Sequence, residues 1–395
     1  MSVTDIVYLV AGAAIPTFIF SWLATFGIRR LAPRWGLVDR PGGERKQHQR
    51  VTPLGGGLAI WFSVVLFFGL FHFMLLGASV TEEVHPVKTL VQSLPFSDLL
   101  SEHDAGLRSK LPDVWFILGS ATVLMLLGLA DDRFRLGWKI RLSTQFFVAA
   151  LGVYLFDHWR LTVFLDSHLL TAGLSVFWIV GLLNAFNMLD NMDGLSPGVA
   201  VISAIMLAAA LLLGPETGGN APQLFVAGFL LVLAGSVLGF LWHNHPPARI
   251  FMGDAGSYFV GFCIAIATIL ATFAGQGSGS RHAILVPLCV MAVPFYDMVT
   301  VIWIRFREGR SPFDADRCHF SHRLVDLGFS QSLAVYTIYL LTIICGIAAM
   351  LLQRVEGLGA VMVILLVLSV LLLIGILETT ARKKTHSSHD TAKTK

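Results

Sequence analysis

Eleven apolar runs divide this sequence, at roughly 5–28, 54–80, 113–130, 140–156, 172–189, 197–213, 222–242, 255–275, 283–304, 331–352 and 358–377. Most approach the roughly 20 residues with which an α-helix crosses a bilayer. A chain cut this way has few options, because backbone amides in lipid must find partners within their own segment, which leaves helices. Composition agrees: 13% of the 395 residues are charged and 55% are hydrophobic, whereas soluble domains carry about 25% charged residues. The expected fold class is all-α, a polytopic integral membrane protein of about eleven transmembrane helices. The run at 140–156 is the least apolar, since it is short and holds Arg141 and Gln145. The first run is too long for a signal-peptide core and lacks a basic leader, so it reads as a retained span. Residues 1–380 are expected to form one transmembrane domain, and 381–395 a basic, disordered cytoplasmic tail. The four cysteines make no CxxC pair, so neither a disulfide framework nor a zinc site is expected. Nothing in the composition points to nucleic acid.

An odd number of spans puts the termini on opposite sides. The loops 29–53, 131–141, 243–254 and 305–330, with the tail 378–395, hold 22 of the 28 Lys and Arg. By the positive-inside rule this side is cytoplasmic, the N-terminus is outside and the C-terminus is cytoplasmic. The loops rich in Asp, Asn, His and Gly (39–56, 131–139, 184–194, 243–257 and 310–323) then all fall on the cytoplasmic side. The outer loops are short or, at 81–112, unremarkable in residue type.

Each polar loop has a chemical and a plain reading. Asn184, Asn187, Asp190 and Asp193 stand at the mouth of a membrane helix, where amides and carboxylates are costly unless they bind something polar or face a water-filled interior. Asp131 and Asp132 are adjacent carboxylates at a helix C-terminus, against the helix dipole. A metal, a general-base role or neighbouring Arg133 and Arg135 would each account for them. Asp254 lies between glycines at a helix start, where it suits a divalent cation or simple N-capping. Asp297, inside an apolar run, is either functional or paired with a nearby Lys or Arg. Lys46 and His48 precede the glycines 55–57, whose N–H groups can hold an anion, or they belong to a topogenic basic loop. In the last cytoplasmic loop Arg317 and Arg323 offer forks to phosphate, and His319 and His322 are spaced to face the same way on a helical turn. Acidic and cationic clusters on one face fit Mg2+-dependent handling of phosphates.

These motifs, in order Lys46-x-His48 with Pro53 and Gly55-Gly56, Asp131-Asp132, Asn184-x-x-Asn187-x-x-Asp190-x-x-Asp193-Gly194, Met252-Gly253-Asp254-x-Gly256-Ser257 and Asp316-x-x-His319-x-x-His322-Arg323-Leu324, carry a resemblance. The chain resembles the polyprenyl-phosphate N-acetylhexosamine-1-phosphate transferases of glycosyltransferase family 4, from Asp39 to about Gly328. The resemblance implies attack of undecaprenyl phosphate on a UDP-sugar, with release of UMP, in a bacterial inner membrane with the active site facing the cytoplasm. It implies Mg2+ as cofactor (with Mn2+ as a substitute), held at Asp254 and near Asp190 and Asp193. It places Asp131 and Asp132 near the acceptor phosphate, one of them as its base, and Lys46, His319 and His322 near the phosphates. The catalytic set expected on this basis is Asp131, Asp132, Asp254, His319 and His322. The substrate-binding set is Lys46, His48, Asn184, Asn187, Asp190, Asp193, Arg317 and Arg323.

Partners are then UDP-GlcNAc, undecaprenyl phosphate and membrane lipids, and a homodimer is compatible with the sequence. The histidine string looks like the UDP-GlcNAc branch rather than the muramoyl-pentapeptide branch, although Ser321 stands where the former commonly has His. A transporter and an inactive family member are the alternatives. Polar residues gathered at one membrane face, without matching halves, argue against the first. Retention of every motif carboxylate argues against the second.

Overall fold

The computed structural model describes residues 2–39, 51–78, 89, 93, 97–161, 167–214, 223–271, 281–313 and 316–393. Every apolar run carries helix. In chain order the long helices are α1 (Val3–Leu31), α2 (Gly56–Ala78), α3 (Ser97–Phe134), α4 (Trp138–Leu155), α5 (His168–Leu189), α6 (Leu195–Leu212), α7 (Leu224–Asn244) and α8 (Gly253–Leu270). There follow a short α9 (Val286–Val290), α10 (Ala292–Arg307), the seven-residue α11 (Phe320–Asp326), α12 (Gln331–Leu352) and α13 (Leu358–Lys393). Among the described residues nine helices are long and apolar enough to cross a membrane, and the broken pair His282–Val290 and Ala292–Arg307, bent by 67°, makes up to a tenth. The chain is thus an all-α polytopic membrane protein. Helix α4 is not one of the nine, because Lys139 and Arg141 sit in its first turns. Side chains of the tail expected from residue 381 lie outside the described residues.

The stretch 81–112 departs from its reading as a loop, since α3 begins at Ser97. Its polar half is held by local pairs, Arg108–Asp104 at 2.7 Å and Lys110–Asp113 at 3.3 Å, at the i,i+4 and i,i+3 spacings that support a helix without apolar periodicity.

Helix α8 is the axis of the molecule. Of its membrane window, 83% is buried, and it packs against α2, α3 and α5. Close approach at its start depends on glycine. A Cβ on Gly57 of α2 would lie 2.2 Å from the Gly256 nitrogen, and one on Gly128 of α3 would lie 2.4 Å from the Asp254 carbonyl carbon. A two-stranded antiparallel sheet, β1 (Val38–Asp39) and β2 (Thr52–Pro53), lies beside this start. Leu54 bridges Phe251, and the Gly56 and Gly57 N–H groups donate to the Phe251 and Met252 carbonyls at 2.9 and 3.0 Å. That corrects one sequence expectation: these N–H groups are spent on the backbone and do not hold an anion.

Candidate active site

Helix α5 ends at Leu189, and Asp190 to Asp193 form a turn rather than a helical face. Asp190 N–H donates to Asn187 O and Asn191 N–H to Leu189 O, so the last turn tightens, and Gly194 (φ 75°) redirects the chain into α6. Buried Asn244 locks the turn: its Oδ1 accepts from Gly194 N–H at 2.9 Å while its Nδ2 donates to Ile250 O at 2.8 Å. Asp193 accepts from Ala248 N–H at 2.8 Å. The 243–251 segment thus fixes both the acidic turn and the entry to α8.

Asp131 and Asp132 part company. Asp132 accepts from the Asp254 and Ala255 N–H groups at 3.0 and 3.2 Å, capping α8 from another helix. Asp254 therefore does not cap its own helix, and its side chain is left for other partners. Asn187 Nδ2 donates to its Oδ1 at 2.7 Å and to Ser257 Oγ at 3.0 Å. Asp131 turns to α4, where Arg141 reaches it at 2.7 Å and Asp254 at 3.6 Å. Arg141, which spoils α4 as an apolar span, thus ties two motifs together. Among the described residues, the basic partners considered for the acid pair, Arg133 and Arg135, form no ion pair with it. Arg133 reaches Gly36 O at 3.5 Å.

A cavity of about 950 Å3 opens at this point, walled by Asp39, Asp132, Asp190, Asp193 and Asp254, with Arg249 and His322 among its other lining residues. Burial, with Asp132 and Asp193 alongside, raises Asp190 to about 8 against the pull of the Gly253 N–H. His322 is pushed down to about 4 by burial and by the charges of His319 and Arg317, so it is neutral at physiological pH.

The two histidine rings lie side by side, their centroids 6.4 Å apart, but they take different partners. His319 Nδ1 lies 2.9 Å from Asp297, and the same carboxylate accepts from Phe320 N–H at 2.6 Å. Asp297 is thereby paired, with His319 rather than with Lys or Arg. Arg323 donates to Glu378 and Thr300, both at 3.0 Å. Arg317 is exposed. Asn184 donates to Gln145 at 2.7 Å. Lys46 and His48 lie outside the described residues. Of the expected residues, then, Asp132, Asp190, Asp193, Asp254 and His322 line one cavity, with Asn187 and Asp131 one contact away.

Residues 114–272 match the family described as Glycosyl transferase family 4. A probable undecaprenyl-phosphate N-acetylglucosaminyl 1-phosphate transferase of Bacillus subtilis is 31% identical over 333 residues, covering 82% of this chain and 80% of its own. The decaprenyl-phosphate N-acetylglucosaminephosphotransferase of Mycobacterium tuberculosis is 33% identical over 345 residues, covering 82% and 77%. The chain belongs to glycosyl transferase family 4. Within it, the branch is that of the polyprenyl-phosphate N-acetylglucosamine-1-phosphate transferases. The undecaprenyl-phosphate alpha-N-acetylglucosaminyl 1-phosphate transferase of Escherichia coli is 28% identical over 340 residues, covering 82% and 79%.

Sequence reasoning passed over four residues around the cavity of this family 4 member. Asn244 and Arg249 stand in a loop already conspicuous for its polarity, and Asp39 precedes the Lys46 motif. Arg141, a guanidinium within an apolar run, was itself a signal.

Proposed function

We propose that this family 4 member transfers N-acetylglucosamine 1-phosphate from UDP-GlcNAc to undecaprenyl phosphate, releasing UMP and starting a lipid-linked cell-envelope glycan. The observation that carries the reading is one cavity lined together by Asp39, Asp132, Asp190, Asp193, Asp254, Arg249 and His322. The names of the relatives support the sugar and the polyprenyl acceptor. The topology that goes with it counts α4, despite Lys139 and Arg141, as the eleventh span of a single domain in a bacterial inner membrane, with the N-terminus outside and the cavity and basic tail in the cytoplasm.

The donor set suits Mg2+, with Mn2+ as a substitute. It consists of the hard carboxylate oxygens of Asp190, Asp193 and Asp254, gathered at one cavity. Among the described residues no three acidic, His or Cys side chains gather to hold a metal by themselves. Asp193 and Asp254 are already tied to Ala248 N–H and to Asn187. This fits an ion held by one or two carboxylates, Asp254 with Asp190 or Asp193, and completed by substrate phosphates. When bound, the ion neutralises charge on the diphosphate.

The protein's own groups do the rest. Asn187 aims Asp254, and the two backbone N–H groups at α8 hold Asp132 rigidly beside the cavity. In this reading Asp132 takes the acceptor's proton, while Arg141 holds Asp131. His322 donates a hydrogen bond to a phosphate oxygen, and the positive charge of Lys46, His48 and Arg317 offsets that of the phosphates. His319, Asn184 and Arg323 support the walls through their internal partners. Rigid placement aligns the attack.

The test is UMP release by the purified protein with undecaprenyl phosphate and Mg2+, comparing UDP-GlcNAc, UDP-GalNAc and UDP-muramoyl-pentapeptide. Turnover with UDP-GlcNAc alone is expected, abolished by chelation and restored by Mg2+. Turnover only with the pentapeptide donor, or with none, overturns the proposal.

A further inference from the structure

Helix α11 carries two side chains that shape the cavity. His322 lines it, and Ser321 Oγ donates to Asn191, which also lines it. Seven residues do not make a helix stable by itself, so its position must come from outside. At its start, buried Asp297 of α10 accepts the Phe320 N–H and pairs with His319. At its end, Arg323 is 8% exposed and donates Nε to Glu378 Oε2 and Nη2 to Thr300 Oγ1, both at 3.0 Å, and Nη1 to Cys318 O.

Glu378 belongs to α13, whose membrane window is only 11% buried. Leu365, Leu366, Leu368, Leu372 and Leu373 of that helix are all exposed. Against this background Glu378 is 8% exposed. Its Oε2 also accepts from Tyr296 of α10 at 3.0 Å, and its Oε1 has no partner among the described residues. A buried ion pair is seldom retained for stability, since an apolar pair of equal volume does as well or better. A carboxylate left half satisfied is worse still. What the pair supplies is geometry: one fixed distance between α13, α10 and the end of α11.

We infer that Glu378 is a positioning residue for the transfer reaction: through Arg323 it fixes α11 and thereby holds the His322 imidazole and the Asn191 amide in the cavity. The inference rests on reading that cavity as the transfer site. A functional group displaced by about 1 Å loses on the order of a hundredfold in rate.

The experiment uses the full-length protein in detergent, as wild type, Glu378→Ala, Glu378→Gln and Tyr296→Phe. Two readouts run in parallel: steady-state UMP release, and the rate at which diethyl pyrocarbonate modifies His322, followed by peptide mass. Glu378→Ala is expected to lower kcat about ten- to a hundredfold while KM for UDP-GlcNAc stays within about threefold. His322 should be modified several-fold faster. Glu378→Gln, which still accepts from Arg323 and Tyr296, is expected to restore most of both. Unchanged kcat and His322 modification in Glu378→Ala overturn the inference, as does a Gln variant as impaired as Ala. Should Glu378→Ala not fold, Tyr296→Phe decides: faster His322 modification supports the inference, an unchanged rate overturns it. Should wild type release no UMP, the transfer reading fails separately and the modification rates alone judge Glu378.

Discussion

Helices α8 and α13 occupy opposite ends of the burial range, with 83% and 11% of their membrane windows inside the protein. Each nevertheless bears one acid connected to the same cavity, Asp254 in its lining at the start of α8 and Glu378, at the end of the α13 span, through Arg323 of α11. The two acids are used in opposite ways. The packing around α8 satisfies its first N–H groups from Asp132, so the Asp254 side chain is free to face the cavity. Most of α13 is exposed, while its acid turns inward and the ion pair with Arg323 ties the helix to α11. Burial of the helix exposes the carboxylate; exposure of the helix buries it.

Four measurements would break or sharpen that contrast. The largest effect is expected from Asp254→Asn, which keeps the acceptor for Asn187 but removes the charge. UMP release should fall by on the order of 10²–10³ with the melting temperature little changed, a loss typical for removing one electrostatic contact to a transition state. A variant with near-normal turnover would place the chemistry elsewhere. Next comes Phe262→Ala on α8, where the ring is fully buried. The void should cost about 3 kcal/mol of stability, read as a lower detergent melting temperature.

The third is a pH slope. His322 is held at about 4 in the folded protein by burial and then by His319 and Arg317, against an ordinary 6.5. The unfolded chain therefore takes a proton that the folded protein refuses, and stability falls as the pH drops from about 6.5 to about 4. His322→Gln should flatten that part of the profile and leave the region above it unchanged. The smallest effect belongs to Leu366→Ala on α13, 55% exposed in the structure. Its side chain meets lipid in both states, so a change within about 0.5 kcal/mol is expected. A loss rivalling that of Phe262→Ala would mean that α13 is packed against something in the membrane.

The helices and the acidic clusters were legible in the chain because both are local properties. Apolar run length selects helices in lipid whatever their neighbours, and Asn184 to Gly194 announces a polar helix end without help from the fold. The start of α3 at Ser97 was harder to see, because its support comes from i,i+3 and i,i+4 ion pairs rather than from apolar periodicity. His319 and His322 looked equivalent at their spacing. They differ because Asp297, more than twenty residues away in the chain, claims only the first.

From the sequence alone came the membrane class, the sidedness suggested by its charges and the set of polar residues available for chemistry. Tertiary structure decided their division of labour. Adjacent carboxylates such as Asp131 and Asp132 point about 100° apart around a helix. Which of them meets the cavity depends on what packs there, Arg141 against one and the start of α8 against the other. Glu378 is the clearest case. In the chain it is one acid at the edge of an apolar run, and only the packing of α13 against α10 and α11 makes it the partner of Arg323. Backbone hydrogen bonding is settled within a few residues, whereas an ion pair is settled by whichever segments the fold brings within about 4 Å of each other.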